Sequence, residues 1–169
     1  MRHHSPPAFS FTPIGTIRSP HTDLAGMPIQ PAGATGVRGT VVIDETFRGG
    51  LRDLDGFSRI ILIYALHRVN GHALEVVPFL DTVPHGIFAT RSPKRPNAIG
   101  LSVVRLVTVN GNELTVENVD ILDGTPLLDI KPYVPAFDCF PDGRAGWFDA
   151  CSHKVGSTRS DDRFCDDSR

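Results

Sequence analysis

Apolar and polar residues alternate in several short runs along this chain, a period of two that predicts strands rather than helices. The first run is FSFTPIGTI, where Phe9, Phe11 and Ile14 flank polar positions, and the second is Gly39–Ile43. The strongest apolar segment, RIILIYALHRV from Arg59 to Val69, is rich in β-branched residues. It predicts a strand buried on both faces that carries His67 and Arg68 out to a rim. LEVVPFL and GIFAT predict two shorter strands. GLSVVRLVTV and NELTVENV meet at Asn110-Gly111, the pair favoured in a type I′ turn, and predict a hairpin. A last strand, LLDIKPY, is closed by Pro132 and Pro135. GLRDLDGF allows two helical turns at most, bounded by Gly49, Gly50 and Gly56. Seven or eight short strands with minor helix predict a mainly β protein, a compact barrel or a sandwich. A Rossmann sheet would need helices between its strands and a GxGxxG loop, and neither occurs.

Composition supports this picture. Gly 16 and Pro 14 make 30 of 169 residues, against an average near 12%. Helix interiors tolerate neither residue, so the surplus argues against a bundle. Apolar residues at 40% and charged residues at 21% exclude the profile of a disordered chain. The length predicts one domain, at residues 9–148, between a frayed leader (1–8) and a polar tail (149–169). In that tail KVGSTRSDDRFCDDSR mixes four basic and four acidic residues and predicts a solvated segment, with Phe164 available to dock. From Arg18 to Gly39 runs a Pro-, Gly- and Ala-rich connection, longer than ordinary loops and therefore expected to be functional or disordered.

The longest apolar run, Ile60 to Leu66, is seven residues, far below the ~20 that span a bilayer. The N-terminus has no apolar signal-peptide core. Cys139, Cys151 and Cys165 have no CxxC spacing; an odd number of ordinary thiols fits a reducing cytoplasm, and Cys139 and Cys151 with His153 match no zinc pattern. No metal is expected. The net charge of −2 gives no global pull toward nucleic acid.

That near-neutral total conceals two local extremes. His85–Arg105 contains Arg91, Lys94, Arg95 and Arg105 and no acid. Pro93 and Pro96 stiffen it, and guanidiniums held by a stiff loop can grip a carboxylate or phosphate. Residues 113–129 hold Glu113, Glu117, Asp120, Asp123 and Asp129 with no basic residue. Asp123-Gly124-Thr125-Pro126 is turn chemistry, and Asp129 and Lys131 share one strand face as either a surface pair or part of a pocket mouth. No GxSxG motif or clearly split acid pair supports hydrolase chemistry.

The strings PIGTIRSP, GFSRIILIYALHRV, GIFATRSPKRPNAIGLS and DGTPLLDIKPYVP resemble, in order and spacing, the TsaA-like (TrmO) family of S-adenosylmethionine-dependent tRNA methyltransferases. The resemblance runs from about Phe11 to Phe148. It implies a compact β-barrel, a homodimer, and a cofactor cleft near the protomer interface. Carried over by position, the cofactor contacts fall on Pro28, Ile29, Gln30, His67, Arg68, Arg91, Leu101, Asp123, Gly124 and Thr125. The implied reaction methylates the exocyclic amino nitrogen of threonylcarbamoyl-adenosine at position 37 of tRNA. Backbone groups of Gly124 and Thr125 would then read the adenine edge, and Lys94, Arg95 and Arg105 would meet the phosphates of an anticodon loop. Asp129, with Tyr133 second, is the expected proton acceptor. Two departures bear on the acceptor: Ala98 replaces the proline of the common PNPIG string, and the further C-terminal domain of some bacterial members is not matched here. A same-fold methyltransferase for another acceptor and a non-catalytic binding module are the alternatives.

Overall fold

In a computed structural model, which describes residues 9–164, the alternating runs close into a ring. The leader 1–8, Cys165 and the last residues of the tail lie outside the described residues. Strands β1 (Gly15–Arg18), β2 (Arg38–Ile43) and β3 (Arg59–Ala65) are followed by a separate two-stranded pair, β4 (Glu75–Val76) and β5 (His85–Gly86). Strands β6 (Ile99–Asn110), β7 (Glu113–Glu117) and β8 (Thr125–Pro132) complete the set. Six of them form a closed barrel in the order β1-β2-β7-β6-β3-β8, every neighbouring pair antiparallel. Closure removes the exposed edges that would otherwise invite pairing with other chains.

Alternation decides what fills the barrel. Ile17, Val41, Ile43, Ile60, Leu62, Val104, Leu114, Val116 and Leu127 point inward and are essentially fully buried. A barrel this small is packed solid by side chains, and each such residue contributes roughly 1.5–3 kcal/mol. On β3 burial alternates, with Ile60, Leu62 and Tyr64 inside and Ile61 and Ile63 only half-buried. The expectation of a strand buried on both faces is therefore corrected: β3 has one lumen face and one outer face.

Three further expectations change in detail. Phe9 and Phe11 are exposed and precede the first strand, which starts at Gly15. GIFAT is a single 3-10 turn, Ile87–Ala89, after a two-residue strand. The hairpin centre is Gly111-Asn112, because Asn110 pairs with Glu113. Only Gly111 has positive φ, at 62°, which is the type II′ arrangement with glycine first.

The segment after β8 is not merely solvated. Cys151, Val155 and Phe164 are buried, and Phe164 packs with Val76 and Ile87 and meets Phe79 edge-on at 5.0 Å. Trp147 stacks on His85 at 4.5 Å and donates Nε1 to the carbonyl of Ala89. These few apolar residues suffice to hold a polar segment onto the β4–β5 pair. No helix among the described residues is long and apolar enough to cross a membrane.

Candidate functional site

Ring order dictates where the loops go. Strands β1, β3 and β7 finish at one end of the barrel, and β2, β6 and β8 begin there. The three long connections, residues 19–37, 66–98 and 118–124, therefore meet at this upper end. The lower end carries the 44–58 segment, the hairpin turn and the exit of β8. Every cofactor position expected from the resemblance belongs to the upper end or to a strand starting or stopping there. Pro28, Ile29 and Gln30 come from the first connection, His67, Arg68 and Arg91 from the second, and Asp123 and Gly124 from the third. Leu101 and Thr125 lie on the first residues of β6 and β8.

Arg91 ties the second connection to the first, donating Nη1 to Oε1 of Gln30 at 3.0 Å. Arg91 is exposed, and its guanidinium carries further donors beyond this bond. The Gln30 loop is fixed by the C-terminal segment. Gly26 N–H donates to the Ser160 carbonyl, Ser160 N–H returns to the Met27 carbonyl, and Pro28 bridges Arg159. Ser160 Oγ accepts from Met27 N–H at 2.9 Å and donates to the Leu24 carbonyl at 2.6 Å. The long Pro-rich connection is thus ordered by residues more than 130 positions away.

The Asp123–Thr125 turn is held just as firmly. Gly124 adopts φ 75°, a left-handed conformation suited to glycine. Its N–H bonds the Ile17 carbonyl, the Thr125 N–H bonds the Leu122 carbonyl, and Thr125 Oγ1 donates to that same carbonyl. Asp123 Oδ1 accepts from Ser19 N–H, and Arg18 lies 3.7 Å from Oδ2. The expectation that backbone groups read an adenine edge narrows accordingly. Both N–H donors are committed within the fold, leaving carbonyl oxygens as the contacts the turn can offer. His67 and Arg68 are exposed in the turn after β3, and Leu101 faces outward from β6 beside Ile63.

Inside the same end lies a polar chain that the sequence pattern did not single out. Tyr64 Oη is 3.0 Å from Ser102 Oγ, and Ser102 Oγ donates to Asp120 Oδ1 at 2.7 Å. Tyr64 and Ser102 are buried on the lumen faces of β3 and β6. Burial pushes the Asp120 carboxyl up to about 6, with the Ser102 bond and the Arg91 charge pulling the other way. Burial, reinforced by the Asp120 charge, also drives the Tyr64 phenol well above its usual range. A legible signal existed: Tyr64 and Ser102 are polar residues in lumen phase on two otherwise apolar strands.

The remaining expected residues are not brought to this cluster. Asp129 sits on the outer wall opposite Ile63, paired with Lys131 at 2.7 Å, which realises the surface-pair alternative. Tyr133 bonds through its N–H to the Arg59 carbonyl at the lower end, whereas His67 and Arg68 follow the other end of β3. The length of a seven-residue strand, roughly 20 Å, separates those ends. Arg105 lies on the wall, where it and Arg38 both bond Glu117 and hold that carboxyl below its ordinary range. Arg95 donates to the carbonyls of Ile87 and Thr90 and lies over the Phe88 ring at 5.9 Å. Lys94 donates to the Asn70 carbonyl. Lys94 and Arg95 therefore brace the loop that presents Arg91. A shallow depression of about 530 Å³ near the lower end, lined by Glu45, Arg48, Leu51, Arg52 and Val109, gathers none of the expected cofactor residues.

The tRNA-methyltransferase O N-terminal domain matches residues 16–139 of the chain. The chain belongs to the TrmO family. That match includes all three upper-end connections and the whole polar chain, and stops before the C-terminal segment that braces them. A probable S-adenosyl-L-methionine-binding protein of Pyrococcus abyssi is 51% identical over 154 residues, covering 91% of this chain and 84% of that protein. The tRNA (adenine(37)-N6)-methyltransferase of Mus musculus is 37% identical over 134 residues, 75% of this chain but 31% of the mouse protein. The crystal structure of TrmO from Pseudomonas aeruginosa superposes with a TM-score of 0.70 at 38% identity, covering 83% of this chain and 62% of that one. The chain thus spans less than two thirds of that TrmO structure and about a third of the mouse enzyme.

Proposed function

We propose that the upper end of the barrel binds S-adenosylmethionine and that the protein transfers its methyl group to the exocyclic amino nitrogen of adenine 37 in tRNA, with threonylcarbamoyl-adenosine as the acceptor. The observation that carries this reading is the convergence of Gln30, His67, Arg68, Arg91 and Asp123 at one rim, with Arg91 bonded to Gln30. The donor set fits the ligand's chemistry. Arg91 supplies charge-assisted donors suited to a carboxylate, Asp123 and the turn carbonyls are acceptors suited to an ammonium, a ribose hydroxyl or an adenine amine, and exposed Leu101 offers apolar area. When bound, S-adenosylmethionine supplies an electrophilic methyl group on sulfur. The protein's part is to orient the acceptor, because in-line transfer rewards alignment above all.

The names of the relatives support the same reading: the archaeal one is described as binding this cofactor and the mouse one as methylating adenine 37. Exposed Ile99 and Leu101 beside half-buried Ile61 and Ile63 give the outer wall an apolar face suited to a second copy, in keeping with a homodimer. An anticodon loop offers unstacked bases to such a site. A second reading follows from size: a relative covered over 84% of its length, from Pyrococcus abyssi, is named for cofactor binding alone. Incubation with labelled S-adenosylmethionine and total tRNA from a strain lacking the activity separates them. Label in methylated threonylcarbamoyl-adenosine is expected. Calorimetric cofactor binding with no label in any nucleoside would favour the second reading, and no cofactor binding would sink both.

A further inference from the structure

We propose that Asp120, aligned by Ser102 and Tyr64, is the group that takes the proton from the acceptor nitrogen during methyl transfer. The inference rests on the reading of the upper end as a methyl-transfer site, and it moves the proton-acceptor role from Asp129 to a residue of the connection that closes that end.

Four observations lead there. First, the carboxylate is part of a directed chain: the Ser102 hydroxyl spends its one proton on Oδ1, so it can only accept from Tyr64, whose phenol is the donor at 3.0 Å. The chain fixes one oxygen and leaves Oδ2 with no side-chain donor among the described residues. Second, the residue is only partly covered, and it sits at the upper end of the barrel where the expected cofactor positions meet. Third, it belongs to the 118–124 connection, three residues before the Asp123–Thr125 turn and within the field of Arg91. Fourth, no cation among the described residues is bonded to it, whereas Asp129 is tied to Lys131 and Glu117 to two arginines.

The step balances without any further reagent. The nitrogen lone pair forms the N–CH3 bond as the carbon–sulfur bond breaks, sulfur keeps that electron pair and becomes neutral, and the N–H proton passes to Oδ2. Asp120 then releases the proton to water. The titratable groups facing it are Arg91 from the loop before β6 and Tyr64 from β3. The former favours the carboxylate, and the neutral phenol supports it through Ser102.

The test compares wild type with Asp120→Asn, which keeps the shape and can still accept from Ser102. Single-turnover methylation of tRNA is measured from pH 5 to 8, beside calorimetric S-adenosylmethionine affinity, filter-binding tRNA affinity and NMR titration of the Asp120 carboxyl in the protein alone. The expected result is a rate loss of roughly 100-fold or more, with both affinities within about threefold, and a wild-type rate that falls as pH drops through the carboxyl's own titration. An Asp120→Asn rate within threefold of wild type overturns the assignment, as does a collapse of cofactor affinity, which would make Asp120 a ligand. An inactive Asp129→Asn beside an active Asp120→Asn returns the role to Asp129. A carboxyl titrating in the ordinary aspartate range also overturns it. A wild-type chain that methylates no tRNA refutes the functional reading itself, and the assignment falls with it.

Discussion

Gly100 lies directly opposite Tyr64 in the β3–β6 ladder, and the phenol ring occupies the space that a β-carbon at Gly100 would need. The glycine is what lets the ring lie across β6 and reach Ser102, two residues along the same face. Gly100→Ala should therefore destabilise the barrel by about 1–3 kcal/mol, the usual range for overpacking. Chemical denaturation measures this. In a double-mutant cycle with Tyr64→Leu the penalty of the added methyl should largely disappear, because the clash is with the ring. A penalty that persists unchanged once the ring has been removed would place the strain elsewhere.

The sequence pattern exposed those parts of the molecule that depend on local alternation. The β3, β6, β7 and β8 runs are recognisable because their lumen residues repeat every second position. What the pattern did not carry is set by distant partners. Ser160 shows no local sign that it anchors Leu24 and Met27. Neither does Asp120 reveal in isolation that Ser102, on another strand, will hold it in the barrel. The DIKPY string leaves Asp129 open to either a surface pair or a pocket mouth, and strand phase sends it to the outer wall with Lys131. The residues of the upper rim were named through the resemblance; their meeting follows from the antiparallel ring, which only a closed topology supplies.

Ser160→Ala should loosen the Gln30 loop while leaving the barrel intact. The change removes an acceptor from the Met27 amide, and leaving a partly buried donor unpaired costs about 1–3 kcal/mol. Because the loss is local, hydrogen exchange at Met27 should accelerate while barrel amides such as those of Leu62 and Val104 keep their protection. If the loop presents Gln30 and Arg91 to the cofactor, S-adenosylmethionine affinity should fall by roughly fivefold. Unchanged exchange at Met27 would show that the strap does not order the loop.

Replacing Arg91 with Met tests its two roles together. The guanidinium holds Gln30 and also favours the charged form of Asp120. Its loss should weaken cofactor binding by about tenfold or more, the scale of a lost charge-assisted contact. It should also raise the Asp120 titration further above its present value of about 6, moving the acid limb of any activity profile toward higher pH. Arg91→Lys should restore the second effect better than the first, since it keeps the charge but not the planar fork. NMR titration of the carboxyl in the two variants separates these outcomes.

Asp120→Asn should make the protein more stable at neutral pH, with a sign fixed by linkage. The carboxyl ordinarily titrates at 3.8 and in the fold at about 6. Between those values the native state retains a proton that the unfolded chain has released, so its stability falls as pH rises through the interval. Below about 3.8 both states are protonated and burial of the group costs nothing extra. Above about 6 both are ionised and the full cost persists, on the order of 3 kcal/mol. Asparagine does not titrate, so the stability gap between variant and wild type should open from about pH 4 to about pH 6 and then stay level. Taking the difference cancels the oppositely directed contributions of Asp81, Glu117 and Asp161, whose carboxyls are all held below their ordinary range and are present in both proteins. Denaturant unfolding at a series of pH values reads the gap directly. A constant gap would mean that Asp120 is not ionised at a cost in the fold. A gap that closes as pH rises would mean that its charge stabilises the native state.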